Sequence, residues 1–519
     1  MSLLDATQRS QTPQGEASDC NVDCNVDYDV IVIGAGIGGL VAATQLVARG
    51  ARVLVLERYL IPGGSAGGFA RSGYQFDVGA SMIFGFGQQG TTNLLTRALA
   101  AVGQSLETIP DPVQVSYHLP DLDISVPRNY ENFLQELDQR FPQEQAGIRR
   151  FYGTCWRIFR ALNTIDLRSL EEMRYVARSF LQHPQACLRL ARYLPVNVGE
   201  VARQHIRDPR LLRFIDMECY SWSVMPASHT PMINAGMVFS DRHYGGVNYP
   251  KGGVAKIAEA LVKGLQQHGG QIHYRARVTE VLTQQGRAVG VRLSDNRAFY
   301  ARRIISNCTR WQTFGDLLSV LPAQEQRWQQ RYRASPSFLS LHLGVQAEVV
   351  PAEMTCHHIL LEDWTEMERP GGTVFVSIPT QLDPHLAPSG RQIIHAFTPS
   401  WISEWQGLAP TAYKRKKFVM ARALVQRLER ILPGLTPAIE HQEVGTPRTH
   451  RRFLGRQDGT YGPIPARQLR GLLGMPFNRT AVPGLYVVGD STFPGQGLNA
   501  VAFSGFACAH RVATDLGLR

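Results

Sequence analysis

A strand–helix–strand pattern lies between Tyr28 and Glu57, in the sequence YDVIVIGAGIGGLVAATQLVARGARVLVLE. Its apolar, β-branched start, residues 28–33, predicts a buried parallel strand. Residues 40–49 predict a helix that ends at Gly50, and residues 52–57 predict a second buried strand that ends in a carboxylate. Strand, helix and strand in this order predict an α/β domain.

Three glycines join the first predicted strand to the helix. Gly34 permits a tight turn, Gly36 lets the backbone approach a pyrophosphate, and Gly39 lets helix and strand pack closely. The helix N-terminus offers unpaired N–H groups and partial positive charge to that phosphate. Glu57 follows where a carboxylate that binds a ribose is expected. The pattern therefore predicts a dinucleotide site, and the carboxylate disfavours the 2′-phosphate of NADP there.

The other parts of the predicted nucleotide domain lie far along the chain. A Gly-rich loop, residues 58–68, replaces the next expected helix and suits a second close approach to a long cofactor. The alternating residues 271–282 predict one strand, residues 289–300 a hairpin and residues 301–307 a further strand. Together they look like the adenine side of a flavoprotein, with Val278 at the adenine. Residues 484–490 predict a buried strand, and residues 495–505 begin a closing helix whose N-terminus can face an anionic ring. Both ends of the chain are thus predicted to build one domain, with a substrate domain inserted.

Composition narrows the class of protein. At roughly 150 residues per domain, 519 residues predict two to four domains, and 44% hydrophobic content excludes a disordered or fibrous chain. A net charge of +11 favours phosphates, acidic lipid or nucleic acid as partners. Eight scattered cysteines indicate a reducing compartment. The N-terminus lacks the pattern of a signal peptide, and the long apolar stretch 30–48 is broken by glycines and Gln45, so no transmembrane helix is expected.

These pieces resemble the FAD-dependent amine oxidase and phytoene desaturase superfamily. Six motifs narrow the resemblance to the carotenoid isomerase (prolycopene isomerase) family of oxygenic phototrophs, from about Tyr28 to the C-terminus. The motifs are Pro62–Ser65, Tyr74–Gly79, Phe84–Phe86, Tyr244–Gly253, Gly445–Phe453 and Phe493–Gly497. Amine oxidases and desaturases often have Gly-Gly-Arg where this chain has Gly-Gly-Ser65. The isomerases share the serine, which supports the narrower resemblance.

The resemblance implies an α/β fold with an FAD-binding Rossmann-like domain of the GR2 type. That domain is assembled from both chain ends, with an inserted α+β substrate domain and a helical membrane-facing region. The predicted divisions are a disordered tail at 1–26, FAD-binding parts at 27–90, 246–315 and 456–519, a substrate and helical part at 91–245, and a second substrate part at 316–455. The predicted cofactor-binding residues are Gly34, Gly36, Gly39, Glu57, Arg58, Gly64, Ser65, Val278, Gly489, Asp490, Gly497 and Leu498.

The implied activity is the conversion of a poly-cis lycopene into all-trans lycopene without net redox change. FAD is the implied cofactor, and the reduced form is expected to be active because transient donation to the polyene lowers its double-bond order. The flavin then needs an electron donor. NAD(P)H is a candidate indirect reductant, although no second dinucleotide fingerprint is evident. A carotenoid or retinoid desaturase or saturase is the alternative, followed by a flavin amine oxidase and a carotenoid-binding protein without activity.

A C40 hydrocarbon needs a long apolar tunnel with few polar groups. Candidate tunnel residues, each of which is also compatible with an ordinary core position, are Phe84, Phe86, Trp222, Met225, Met237, Phe239, Tyr244 and Tyr249. The sequence does not identify a catalytic acid or base. Arg448, His450 and Tyr461 lie in family-like motifs and are the candidates, with structural hydrogen bonding as the alternative for His450.

A carotenoid substrate implies contact with a membrane. Between Arg149 and Tyr193, nine arginines stand against three acidic residues, and aromatic residues are interspersed. Basic, aromatic helices suit an interfacial position on anionic lipid, so a peripheral location on the cytoplasmic side of a thylakoid or plasma membrane is expected. The alternative is a solvated helical cap on the substrate domain. No recognition motif for nucleic acid accompanies these charges.

No metal site is predicted. Cys356, His357 and His358 are adjacent, and successive side chains on a strand point to opposite faces, so the three are not expected to converge on one ion. Cys20 and Cys24 lie in a duplicated tail without further ligands nearby.

Overall fold

The computed structural model of the protein describes residues 26–79 and 81–518. The predicted disordered tail, with Cys20 and Cys24, lies outside the described residues apart from position 26. The strands are β1 Tyr28–Ile33, β2 Val53–Leu56, β3 Gly68–Arg71, β4 Tyr74–Asp77, β5 Thr108–Pro110, β6 Val113–Leu119, β7 Leu122–Pro127, β8 Asn248–Pro250, β9 Gln271–His273, β10 Val278–Gln284, β11 Arg287–Leu293, β12 Ala298–Ser306, β13 Tyr332–Ala334, β14 Ser337–Gln346, β15 His357–Leu360, β16 Val374–Ser377, β17 Arg391–Ser400, β18 Ile439–Gly445, β19 Pro463–Pro465 and β20 Leu485–Val487.

Seven of the helices in the described part of the chain lie in succession between β7 and β8. The helices are α1 Ile37–Val47, α2 Leu94–Ala100, α3 Tyr130–Arg140, α4 Gln145–Thr164, α5 Met173–Gln182, α6 Pro184–Tyr193, α7 Val198–His205, α8 Pro209–Ser223, α9 Met232–Tyr244, α10 Ala255–Gln267, α11 Arg310–Gly315, α12 Ala323–Arg331, α13 Pro410–Leu428, α14 Leu435–Ala438, α15 Pro447–Leu454 and α16 Leu498–Leu516. No helix in the described part of the chain is both long and apolar enough to cross a bilayer.

The first sheet contains the strands of the predicted dinucleotide site, β1 and β2. Its order is β10-β11-β12-β1-β2-β9, and β20 pairs with β12. The strands β9, β2, β1, β12 and β20 run parallel, while β10 and β11 form an antiparallel hairpin beside them. All of α1 is buried, because it packs between this sheet, α16 and α10. A parallel sheet covered by helices is the arrangement that a β-branched, non-alternating run such as β1 predicts.

The second sheet, of order β18-β14-β17-β16-β15-β6-β7, is antiparallel except at the β15–β6 pair. Helix α13 packs on it through Leu424, Val425 and Leu428. A layer of helices that includes α4, α8 and α9 forms a further core together with residues of β6 and β7. The mixed α/β class predicted from the sequence is confirmed.

One predicted strand is divided in the structure. The run from Gln271 to Leu282 forms β9 and β10, which are separated at Arg275, where φ is +55°. The turn matters because β9 continues the parallel part of the first sheet beside β2, whereas β10 belongs to the hairpin. In contrast, residues 298–306 form the single strand β12 where the sequence predicts a hairpin arm followed by a separate strand.

Candidate functional site

One cavity of about 2060 Å³ extends from the carboxyl end of β1 to the helical layer. A typical pocket for a small ligand measures roughly 300–1,000 Å³. The larger volume is therefore enough for more than one small ligand. Its two ends differ in chemistry, with glycines and charged groups at the first sheet and apolar side chains beyond the second.

The glycine turn after β1 forms the floor of the first end. Gly34 has φ +95°, which only glycine adopts without strain. A Cβ on Gly36 would lie 2.5 Å from Asn307 Nδ2, and a Cβ on Gly39 would lie 2.5 Å from the carbonyl oxygen of Gly34. The Gly39 N–H also donates to Asn307 Oδ1 at 3.1 Å. Gly39 therefore packs the helix against the turn, while Gly34 and Gly36 face the cavity.

Every predicted cofactor-binding residue except Gly39 lines this cavity. These residues are Gly34, Gly36, Glu57, Arg58, Gly64, Ser65, Val278, Gly489, Asp490, Gly497 and Leu498. They come from the ends of β1, β2 and β20, from the start of β10, and from the loops that follow β2 and β20. Segments from both ends of the chain thus meet at one place.

Glu57 is fixed at the carboxyl end of β2. Its Oε2 accepts the Ala35 amide at 2.8 Å, and its Oε1 accepts the Tyr59 amide at 2.7 Å. The carboxylate is almost fully buried, yet it lines the cavity. Each oxygen keeps a second lone pair, so the group can still accept hydrogen bonds from ribose hydroxyls.

The N-terminus of α16 also opens into the cavity. Gly497, with φ +104°, precedes the helix, and Leu498 and Asn499 in its first turn line the cavity. The first amides of a helix have no intrahelical partner and carry partial positive charge. Nearby, Asp490 forms an ion pair with Arg456, whose Nε donates to the Thr460 carbonyl at 2.6 Å.

This donor set fits FAD. A glycine cradle at a helix N-terminus suits a diphosphate, a fixed carboxylate suits a ribose, and the start of α16 suits a flavin ring that carries negative charge. Bound there, FAD would supply reversible electron or proton donation, and the residues above would hold and orient it.

The other end of the cavity has an aromatic wall from the second sheet. The rings of Phe375 and Phe397 stack with centroids 4.9 Å apart, and Phe338 meets Phe397 edge to face at 4.9 Å. Tyr461 continues the row at 5.0 Å from Phe338. Apolar residues of the helical layer face this wall, including Leu162, Leu190, Ile233 and Val238.

The predicted tunnel residues divide into two groups. Phe84, Trp222 and Met237 line the cavity. Phe86, Phe239 and Tyr249 are buried in the cores, Met225 does not line the cavity, and Tyr244 is 42% exposed. Phe86, Phe239 and Tyr249 therefore fill ordinary packing positions. The periodicity of α9 brings Met237 to the cavity and turns Phe239 toward the interior of the helical layer.

The three candidate catalytic residues, Arg448, His450 and Tyr461, all line the cavity. His450 lies between two hydroxyls, with Nε2 3.3 Å from Ser340 Oγ and Nδ1 3.3 Å from Tyr461 Oη. The Arg448 guanidinium lies over the Tyr413 ring, 4.5 Å from its centroid. This geometry agrees with a hydrogen-bonding role for His450.

Burial keeps the imidazoles of this region neutral. It lowers the pKa of His450 and of His342 to about 4, and it lowers the pKa of His395 well below its ordinary value. The His342 and His395 rings stack with centroids 4.3 Å apart. Burial also raises the pKa of Tyr461, so its hydroxyl is protonated at neutral pH. These imidazoles and the Tyr461 hydroxyl are therefore polar but uncharged, and Arg448 is the charged group beside them.

Several lining residues were not predicted from the sequence. Asn307 contacts the glycine turn, and its place at the end of a predicted strand was a usable signal. Phe338, Phe375 and Phe397 lie in apolar runs that are buried on both faces, so the sequence pattern does not show which of them reach the cavity.

A family model described as flavin containing amine oxidoreductase matches residues 37–513. Prolycopene isomerase from Arabidopsis thaliana, a chloroplastic protein, is 57% identical over 95% of this chain and 83% of its own length. The neurosporene-forming phytoene desaturase of Cereibacter sphaeroides is 26% identical over 91% of this chain and 92% of its own length.

Solved structures share the fold. An oxidoreductase from Methanosarcina mazei has a TM-score of 0.61 and 21% identity, over 92% of this chain and 99% of that one. Putrescine oxidase with bound putrescine has a TM-score of 0.63 and 15% identity, over 95% and 99%. At these identities the likeness concerns the fold alone.

Proposed function

Because this chain belongs to the flavin containing amine oxidoreductase family and, within it, to the prolycopene isomerases, we propose that it isomerises poly-cis lycopene to all-trans lycopene in carotenoid biosynthesis, with FAD as cofactor. The observation that carries this proposal is the continuity of one cavity from a glycine-lined nucleotide end to an apolar, aromatic end. A hydrocarbon that must meet a flavin needs both ends in one space.

The residues of the apolar end suit a reaction that only rotates bonds. A desolvated polyene is held by contact with rings such as those of Phe338, Phe375 and Phe397. His450 and Tyr461 add hydroxyl and imidazole groups that are uncharged at neutral pH. Aromatic rings and uncharged polar groups beside the polyene would exclude water from transient charge on it.

The state of the cofactor is part of the proposal. Bound in its reduced form, FAD would supply the transient charge. We therefore propose that the reduced enzyme is the active one and that it requires an electron donor, with NAD(P)H as a candidate indirect reductant. The division into FAD-binding parts at 27–90, 246–315 and 456–519, with substrate parts at 91–245 and 316–455, stays a prediction. It agrees with the cavity lining, since the glycine-rich end of the cavity is lined by residues from each of the three predicted FAD-binding parts.

Substrate is proposed to enter from a membrane surface at the α5–α6 helix pair. One side of this pair lines the cavity with Val176, Cys187 and Leu190. Its outer side exposes apolar side chains, with Met173 72%, Leu181 80% and Leu188 60% accessible. Arg174, Arg178, Arg189 and Arg192 lie on the same two helices without ion-pair partners in the described part of the chain. Apolar and basic groups together suit anionic lipid.

The test is an anaerobic incubation of purified, FAD-loaded protein with poly-cis lycopene in liposomes, with and without dithionite. We expect the product spectrum of all-trans lycopene at unchanged mass, and only in the reduced sample. Turnover by the oxidised enzyme without any reductant would contradict the role of reduced FAD.

The same incubation separates the alternative activity. A mass change of two hydrogens would assign the protein to the desaturases or saturases, with the flavin as a stoichiometric redox partner. The 57% identity to an isomerase against 26% to a desaturase makes this the less favoured outcome.

A further inference from the structure

A group of side chains that could bind a metal ion lies where β6 and β15 begin. Asp111 precedes β6, Cys356 directly precedes β15, and His357 is the first residue of β15. One donor atom from each lies within 4.8 Å of the other two, and Asp111 Oδ2 is 3.7 Å from His357 Nε2. All three residues are almost completely buried.

Two of these donor atoms face each other without a hydrogen bond. Asp111 Oδ2 and His357 Nε2 are buried and have no partner among the described residues. The opposite side of each group is held, since His357 Nδ1 lies 2.9 Å from Ser377 Oγ and Asp111 Oδ1 accepts the Val113 amide at 3.1 Å. Buried polar atoms are normally paired, and a histidine oriented through its other nitrogen is typical of metal ligands.

We propose that Asp111, Cys356 and His357 bind a divalent transition-metal ion, with zinc as the best fit. Zinc takes thiolate, imidazole and carboxylate ligands at roughly 2.0–2.3 Å. An oxygen and a nitrogen ligand around a tetrahedral ion then lie about 3.3–3.5 Å apart. Asp111 Oδ2 and His357 Nε2 are 3.7 Å apart, so a small side-chain movement would bring both atoms to the ion. A thiolate and a carboxylate together balance the charge of the ion, so the centre can be buried without net charge. The thiolate disfavours magnesium and calcium, which prefer oxygen ligands.

The position of the site indicates a structural role. β6 and β15 are parallel neighbours, with His358 paired to Ser116. An ion bound where the two strands begin would therefore crosslink them. The Asp111 amide also donates to the Val247 carbonyl at 3.1 Å, which connects the site to the segment before β8. His357 lines the cavity, but Asp111 and Cys356 do not.

The proposed ligands differ from the group that is adjacent in the sequence, Cys356, His357 and His358. As strand alternation predicts, the His358 side chain points away from that of His357, with its Nδ1 3.2 Å from His118 Nε2. Cys356 precedes the strand, and the third ligand, Asp111, comes from a distant part of the chain. Strand alternation therefore does not argue against the site that the structure assembles.

The metal content of the full-length, FAD-loaded protein tests this proposal. Protein expressed in zinc-supplemented medium and purified without chelators is expected to contain about one zinc per chain by mass spectrometry. Asp111→Asn and Cys356→Ser should each lower zinc affinity at least tenfold in competition with a chromogenic chelator. His358→Ala, which removes the neighbouring imidazole outside the site, should retain zinc. Flavin absorbance and far-UV circular dichroism identify variants that remain folded.

Cobalt gives a readout independent of affinity. Cobalt-substituted wild-type protein and His358→Ala should show a thiolate-to-cobalt charge-transfer band, and folded Cys356→Ser should lack it. A chelator should lower the melting temperature of the wild type but not of Asp111→Asn. The proposal is overturned if the wild type binds neither metal, or if the folded variants bind as much as the wild type. Isomerase activity enters none of these measurements, so failure here and failure of the proposed function are distinguishable.

Discussion

Tyr461 Oη lies 3.3 Å from His450 Nδ1, and the other nitrogen of the same imidazole lies 3.3 Å from Ser340 Oγ. These three hydrogen-bonding side chains link the loop after α15 to β14, next to the aromatic wall of the cavity. At neutral pH the tyrosine is protonated and the imidazole is neutral. The three groups can therefore hold side chains in place more readily than they can transfer a proton.

Replacing Tyr461 by Phe should therefore lower the isomerisation rate only modestly. The variant keeps the ring that packs on Phe338 and loses one neutral hydrogen bond, which is worth about 0.5–1.5 kcal/mol, or roughly a 2- to 12-fold rate effect if it is fully expressed in the barrier. Initial rates with reduced enzyme measure the change. Tyr300→Phe, at an exposed position of β12, is the matched control. A loss of 100-fold or more at normal FAD content would instead identify the hydroxyl as an acid–base catalyst.

The buried, neutral His450 should make the protein less stable in mild acid than at neutral pH. Its pKa is about 4 in the folded state against 6.5 for an ordinary histidine. Above pH 6.5 it is neutral in both states. As the pH falls from 6.5 toward 4, the unfolded chain takes up the proton first, and the free energy of unfolding drops by about 1.4 kcal/mol per unit, or roughly 3 kcal/mol in all.

His450→Gln isolates this contribution, because glutamine keeps hydrogen-bonding capacity but does not titrate. Denaturant unfolding of both proteins at several pH values should show the wild type losing about 2–3 kcal/mol more than the variant between pH 7 and 4. Asp77 and Asp241, whose pKa values burial raises to about 6 and about 7, contribute with the opposite sign. They are present in both proteins and cancel in the difference. Parallel curves would contradict a buried, neutral His450.

The nucleotide end could be predicted because its chemistry is local in sequence. A strand, a glycine turn, a helix and an acid within residues 28–57 carry the requirements of the site in one segment. The hairpin and the closing strand could be placed by the same signals. The turn at Arg275 was missed, since nothing in an alternating run of residues requires a positive φ there. Residues 298–306 were also divided wrongly, because they form the single strand β12.

The apolar, aromatic end of the cavity could not be predicted in the same way. Its wall consists of Phe338, Phe375 and Phe397, which meet only when β14, β16 and β17 pair. Strands that are buried on both faces give no alternation by which a cavity face is distinguished from a core face. The Asp111, Cys356 and His357 group has the same origin, because its members come together through the pairing of β6 with β15.

Gly39→Ala should strongly weaken FAD binding. The added methyl would lie 2.5 Å from the Gly34 carbonyl oxygen, a backbone atom that moves only if the glycine turn after β1 opens. We expect apoprotein after purification and at least a tenfold weaker FAD affinity by flavin fluorescence titration. Gly153→Ala in α4, where the nearest atom is 3.7 Å away at the end of a flexible arginine, should bind FAD normally and be unchanged or more stable. Normal FAD content in Gly39→Ala would refute the packing role of this glycine.

Leu181→Glu should weaken binding to anionic liposomes. Leu181 is 80% exposed on α5, whose residues are nowhere fully buried and whose inner side lines the cavity. If this surface contacts lipid, the substitution loses about 1.5–3 kcal/mol of binding free energy from apolar burial. The new negative charge also partly cancels the positive charge of the nearby arginines and is repelled by anionic lipid. Co-sedimentation should show at least a tenfold lower partition, together with slower turnover of liposomal substrate. Turnover of detergent-solubilised substrate should change little.

Val320→Glu provides the comparison, since Val320 is 71% exposed but lies on the connection between α11 and α12. It should bind liposomes as the wild type does. A second exposed apolar pair, Phe418 and Val419 on α13, follows the basic residues 414–417 and offers a competing contact. If Phe418→Glu released the protein from liposomes while Leu181→Glu did not, the membrane would meet α13. The α5–α6 pair would then be a wall of the cavity without a docking role.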